Sequence, residues 1–442
     1  MEQVIMQLVE RAIVQGAQQA DAIAVVHAGI SVGVYGGEVE SFTRSLSRGA
    51  GLRVIVGGRV GFAYTEQLDA VDDTVRAALQ SAEVTDVQQG AGIYEGPGNT
   101  AMAQLKQLDD GQDVQRAALE LYDALKEAGA VNTQGCEAES NTSTLYFCNS
   151  AGVQGAYAMK SAALLAQPVA KIGNFTDSGF WFDVKESIGQ TDVRHTAQEA
   201  MRRARQYHGA TGAQTGQMPV VLLGEAMADL LEAFSPAFSA VLAEKGLSLF
   251  KDREGQQVAS ACVTLIDSPQ HPQLPFYYPF DGEGVPTSTK KIVDQGILTT
   301  LLYDVASANR KGVKPTGNAR RGYSSSIAPG PYHFYIAPGN QDRENLMQQA
   351  QHGVIISEVS GLHAGVNATS GDFSLLSKGF VLKDGVQGAP IEQMVVSGNF
   401  FDLLKHIEAV GNDLLFGVPG GSCFGSPTLY IASLSIAAGE GA

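Results

Sequence analysis

A helix, three strand-like runs and a second helix open this chain, and the same order returns after a glycine-rich connection. Within residues 2–19, Val4, Ile5, Leu8, Val9, Ala12 and Ile13 recur at helical spacing. Strand-like runs follow at about 21–36, 38–47 and 49–65, separated by Gly36-Gly37 and Gly57-Gly58. The segment Val54 to Tyr64 predicts a β-hairpin, because a Gly-Gly pair supplies the positive φ of a tight turn. A helix over 66–82 then carries Leu68, Val71, Val75, Ala78 and Leu79 on one face. The stretch Gln88 to Asp113, with Gly90, Gly92, Gly96, Pro97 and Gly98, reads as a long crossing connection. After a helix at about 112–129, strand-like segments at about 133–140, 142–149, 151–169 and 171–185 lead into a helix at about 189–207. Gly61-Phe62-Ala63-Tyr64 and Gly179-Phe180-Trp181-Phe182 each precede a helix, so the spacing predicts one helix–meander–helix unit used twice.

The small, polar, Gly-rich stretch 209–217 is the best domain boundary in the sequence. Beyond it, short apolar strands alternate with Gly and Pro, interrupted by helices at about 224–243 and 341–351. The expected architecture is α+β, with an N-terminal domain over 1–210 made of two β-meander plus helix units. A β-rich C-terminal domain over 218–442 follows it.

Composition excludes several classes of function. A formal charge of -16 repels phosphate backbones, and the densest basic stretch, Arg202-Arg203-Ala204-Arg205, is too short to offset it. Direct nucleic-acid binding is therefore not expected. Four cysteines without a CxxC pair do not make a disulfide framework and read as reduced thiols. The start Met1-Glu2-Gln3-Val4-Ile5 lacks the basic and apolar regions of a signal peptide, and no apolar run is long enough to span a bilayer. A cytoplasmic location without membrane contact is expected.

The common catalytic signatures are missing: there is no G-x-S-x-G elbow, Walker loop, G-x-G-x-x-G or HExxH. The eight histidines are scattered, none with a second His or a Cys at ligand spacing. One segment carries candidate chemistry. The buried-strand pattern Met218 to Leu223 runs directly into Gly224-Glu225-Ala226-Met227-Ala228-Asp229, a helix start. Glu225 and Asp229 share a helical face in the first turns, where the helix dipole favours carboxylates. Such a pair could act as acid and base or hold a cation, or could simply be a solvated acidic helix start.

That strand and helix, together with Asp281-Gly282-Glu283-Gly284-Val285-Pro286-Thr287 and Asp294-Gln295-Gly296-Ile297-Leu298, resemble the TldD/PmbA family. So do Thr316-Gly317-Asn318-Ala319, Ser370-Gly371-Asp372-Phe373-Ser374, Val396-Ser397-Gly398-Asn399-Phe400 and Val410-Gly411-Asn412-Asp413, in family order across about 218–436. The resemblance implies a metallopeptidase system with two branches. The TldD branch carries an HExxxH helix and a later cysteine that hold zinc, and the PmbA (TldE) branch lacks those ligands and pairs with the first. Here the HExxxH positions read Gly224, Glu225 and Asp229: both imidazoles are absent, and one carboxylate is a poor zinc ligand in their place. Cys423 lies too near Pro427-Thr428-Leu429 to be assigned the metal cysteine's role. The chain resembles the PmbA branch.

The function so implied is a subunit of a cytoplasmic peptidase acting on unfolded peptides or peptide precursors. It would carry no cofactor of its own, with zinc on a TldD-like partner. Asp281, Glu283 and Gly284, with Gly371, Asp372 and Phe373, are expected in loops lining the substrate cleft or the partner interface, unless they are ordinary turns whose acids cap amides. Two alternatives stand: a non-proteolytic protein modulating a partner such as DNA gyrase, and an independent metallopeptidase with an unrecognised metal site. An isolated chain could also pair with itself.

Overall fold

The computed structural model describes residues 1–97 and 105–439, so Gly98 and the middle of the expected crossing connection lie outside the described residues. The chain is α+β and forms two compact units.

The first unit holds Met1–Arg205 together with Pro269–Ser288 and Tyr303–Pro329. Its elements are α1 (Glu2–Val14), β1 (Gln19–Tyr35), β2 (Glu38–Val56), β3 (Arg59–Thr65), α2 (Val71–Val84), α3 (Gly111–Glu127), β4 (Asn132–Asn149), β5 (Gln154–Ile172), β6 (Phe175–Ser178), β7 (Trp181–Lys185) and α4 (Val193–Arg205). The strands form one sheet in the order β3-β2-β1-β4-β5-β6, with β7 also on β5. Its two halves meet through an antiparallel β1–β4 pairing that runs from Asp21↔Asn149 to Gly33↔Glu137.

Strand periodicity sends alternate side chains of β1 to the helical layer. Ala20, Ala22 and Ala24 pack with α1 and α2, while Ile30 and Val32 on the same face pack with α3 and α4. The matching Gly-aromatic segments have a physical cause. A Cβ on Gly61 would lie 2.1 Å from the Ala78 carbonyl of α2, and one on Gly179 would lie 2.2 Å from the Ala200 carbonyl of α4. In each half, a glycine lets the following helix press its backbone onto the sheet.

The strands are longer than the sequence spacing suggests. The break expected after residue 47 does not occur, because Gly49 and Gly51 sit inside β2. They admit Tyr323, whose ring and carbonyl lie 2.2 and 2.1 Å from where their Cβ atoms would be. Likewise β4 runs unbroken through the expected boundary at 140–142, while the run 171–185 divides into the end of β5, then β6 and β7.

The second unit holds Gln206–Ser268, Thr289–Leu302 and Gly330–Ala442. A single cut near residue 210 therefore does not separate the units: two stretches from beyond residue 218 belong to the first. Here β8 (Gly216–Leu222) runs parallel to Gly353–Ser360, which continues antiparallel through Asp372–Lys383 and Val386–Asn399 to Leu429–Ala438. Leu429–Ala438 pairs back onto β8, closing a barrel. A second sheet brings Leu265–Ser268, His333–Ile336 and Cys423–Ser426 together. The helix expected over 224–243 is divided into α5 (Gly224–Phe234), a turn over Ser235–Phe238 containing Pro236, and a short helix Ala240–Glu244. Proline removes an amide donor and ends the regular helix.

No disulfide joins the four cysteines, of which Cys262 is exposed and the other three are buried. No helix among the described residues is long and apolar enough to cross a membrane.

Candidate functional site

Helix α5 leaves the barrel directly after β8 and buries Ala226, Met227, Leu230, Leu231 and Phe234. Those five positions fix its rotation and leave Glu225 and Asp229 on the partly exposed side. Glu358, on the neighbouring strand, accepts from the Tyr207 hydroxyl at 2.8 Å and from the Gln206 amide at 3.0 Å. The Asp229 carboxyl is pushed up to about 7, first by burial and then by the charges of Glu232, Glu225 and Glu358. A group poised there can exchange a proton near neutrality.

The same positions do not form a zinc ligand set. Gly224 has no side chain and no space for one, since a Cβ would lie 2.1 Å from the Ser426 carbonyl. What α5 offers at these positions is the carboxylates of Glu225 and Asp229, without an imidazole. Among the described residues, no group of three or more His, Cys, Asp or Glu side chains is arranged to hold a metal ion.

Asp281, Glu283 and Gly284 lie in the first unit rather than in a β-rich C-terminal domain, and they are not an exposed loop. Asp281 is 2% and Glu283 1% exposed. Asp281 accepts from the amides of Glu283 at 2.9 Å, Val285 at 3.0 Å and Ala319 at 2.9 Å, tying its own turn to the segment after residue 318. Glu283 accepts from the Val305 amide at 2.7 Å and pairs with Arg53 at 2.9 Å. Arg53 also pairs with Asp21, which pairs in turn with Arg321 at 2.7 Å. Burial alone would raise the Asp21 carboxyl, but Arg321 and Arg53 outweigh it and hold the group below the usual carboxylate range. Burial raises both Asp281 and Glu283. Gly284 has φ +79° and packs where a Cβ would lie 2.4 Å from the Phe147 ring. These residues lock two inserted segments to β1 and β2, and Asp281 organises its turn as an amide cap.

The second predicted loop has a different character. Asp372 is exposed, and hydrogen bonds from Asn399 at 2.9 Å and the Ser370 hydroxyl at 2.8 Å lower its carboxyl. Asn399 also donates to the Ser370 carbonyl at 2.8 Å and accepts from the Phe401 amide at 3.1 Å, capping the helix Phe400–Lys405. Gly371, with φ +86°, lies where a Cβ would be 2.4 Å from the Phe401 ring. Phe373 points inward, 4% exposed, against Phe234.

Through Asn399 and Phe401 this loop backs an open groove of about 290 Å³ within the second unit. The groove is floored by Phe250, Val258 and Phe401, bordered by the exposed Leu249, and rimmed by Arg253, Gln257, Asn399, Asp402 and Lys405. Only Asn399 among these stood out in the sequence. Residues 249–258 carry no motif, and nothing in their order announces that they meet residues 399–405.

Comparison with known proteins fits this architecture. The family model described as the PmbA/TldA metallopeptidase C-terminal domain matches residues 215–438, and its domain 1 model matches residues 20–82. Metalloprotease PmbA of Escherichia coli O157:H7 is 25% identical over 87% of this chain and 86% of its own length. A metalloprotease of Methanothermobacter thermautotrophicus is 26% identical over 86% of this chain and 85% of its own length. A Thermotoga maritima protein described as a proposed modulator of a DNA gyrase superposes with TM-score 0.87 at 26% identity, covering 99% of this chain and all of that one (100%). TldE of Thermococcus kodakarensis shares the fold at TM-score 0.86 and 18% identity, over 98% of this chain and 100% of its own. With one domain model matching the first meander at residues 20–82 and the other matching the barrel-bearing residues 215–438, the chain belongs to the PmbA/TldD family of metallopeptidase-like proteins.

Proposed function

We propose that this chain is the PmbA/TldE-type subunit of a two-chain peptidase, shaping the site for unfolded peptides while a TldD-like partner holds the zinc. The observation that carries this reading is the start of α5. There the first motif position is a glycine closed off by the Ser426 carbonyl, and the last is Asp229 in place of an imidazole donor. The names of the curated relatives, metalloproteases including PmbA itself, support the peptidase context. A cytoplasmic location is part of the proposal, and the four unbridged cysteines fit a reducing compartment.

The test is co-expression with a TldD-like chain from the same cell, followed by elemental analysis and degradation of an unfolded peptide. Zinc and cleavage are expected in the pair and not in this chain alone. Near-stoichiometric zinc on the isolated chain, abolished by Glu225→Ala with Asp229→Ala, would overturn the reading in favour of an independent peptidase. The description of the Thermotoga protein supports a second reading, modulation of gyrase. With a net charge of -16 that contact would be made to the gyrase protein rather than to DNA.

A further inference from the structure

We propose that the groove between residues 249–258 and 399–405 binds the C-terminal end of a peptide, with an apolar final side chain on the aromatic floor and its carboxylate on Arg253. The proposal rests on the peptide reading above and adds a binding site on this chain. Phe250 and Phe401 are buried at 2% and 6%, and their rings meet edge-to-face at 4.8 Å, which makes the floor rigid. Leu249 stands 52% exposed at its border, so the apolar surface continues outward.

The charges select the ligand. Lys405 is neutralised by Asp402 at 3.1 Å, whereas the side-chain partner of Arg253 is the neutral Gln256 amide at 2.9 Å. A guanidinium with no acidic partner among the described residues, at the rim of an apolar groove, complements a monoanion. Asp402, which lines the same groove, disfavours phosphates and other polyanions. A volume of about 290 Å³ admits one or two residues and is too small for a folded domain or a long helix. The Gln257 side-chain amide on the rim supplies a neutral hydrogen-bonding group for the preceding peptide unit.

The experiment titrates the full chain with N-acetyl-Ala-Leu carrying a free carboxylate, with its C-terminal amide, and with N-acetyl-leucine, by calorimetry. The free acid should bind about tenfold or more tighter than the amide, the difference expected of a charge-assisted hydrogen bond. Arg253→Gln should bring the acid down to the amide's affinity and leave the melting temperature unchanged, since among the described residues this exposed side chain bonds only Gln256. Leu249→Ser should weaken acid and amide together. Acid and amide binding alike, or an Arg253→Gln variant with unaltered preference, would overturn the proposal. So would N-acetyl-leucine binding as tightly as the dipeptide, which would give the groove to a free acylated amino acid. Self-association abolished by Leu249→Ser, without acid binding, would give it instead to a second copy and also overturn the proposal. None of these readouts uses cleavage or zinc, so the two-chain peptidase reading stands or falls separately.

Discussion

At the scale of single residues, Asp229 shows how a short acidic motif acquires its properties. Its carboxyl sits at about 7 in the folded chain against an ordinary value of 3.8. The folded state therefore binds more protons than the unfolded chain between those values, and this group's contribution to stability falls as pH rises through that window and levels off above it. Asp229→Asn, which mimics the neutral acid, should raise the unfolding free energy by ~2 kcal/mol at pH 8 and change it little at pH 4. Urea titrations at the two pH values measure this; an equal effect at both would mean that folding leaves this carboxyl's titration unshifted. The pairing of Glu225 with Asp229 on one face was legible from their spacing. The contribution of Glu358 was not, because it comes from a strand more than a hundred residues away.

Helix starts and caps decide the behaviour at the scale of elements. Gly224 opens α5 against the Ser426 carbonyl, so any Cβ must displace backbone. Gly224→Ala is expected to cost about 3 kcal/mol or more, as overpacking against main chain does. Gly224→His with Asp229→His should therefore fail to create a stable zinc helix, which melting temperature and zinc content together would show. A Gly224→Ala protein melting like the parent would mean that this helix start is looser than its packing implies. Asn399 joins two loops that the sequence separates, bonding Ser370 and Asp372 on one side and the first amides of Phe400–Lys405 on the other. Asn399→Ala should cost ~1 kcal/mol from lost capping, read as a lower denaturant midpoint with an unchanged slope. The sequence marked both loops as turns correctly, since Gly371 and Gly284 have the positive φ that glycine tolerates. It did not show that one loop carries buried charges and the other exposed ones.

For the molecule as a whole, the first unit is completed by segments encoded after residue 268. A fragment of residues 1–210 lacks Glu283 and Arg321, the partners of Arg53 and Asp21, and lacks Phe280 beside Phe147. Arg53 and Asp21 keep each other but each loses its second buried partner, and breaking buried pairs costs ~3–5 kcal/mol, so the fragment should melt about 10 °C below the full chain and bind an apolar dye. A cooperative transition at the full chain's temperature would show that the inserted segments are dispensable. The sequence by itself determined the meander–helix duplication, because alternation, helical spacing and glycine turns are local and repeat within a few residues. It also determined the absence of imidazoles from the start of α5, which is a matter of residue identity alone. Only the tertiary structure decided that Asp281 and Glu283 are buried in the first unit, that the last strand closes the barrel onto β8, and that Arg253 borders an apolar groove. Burial and charge environment are set by neighbours in space, and here those neighbours come from stretches of chain that no local pattern connects.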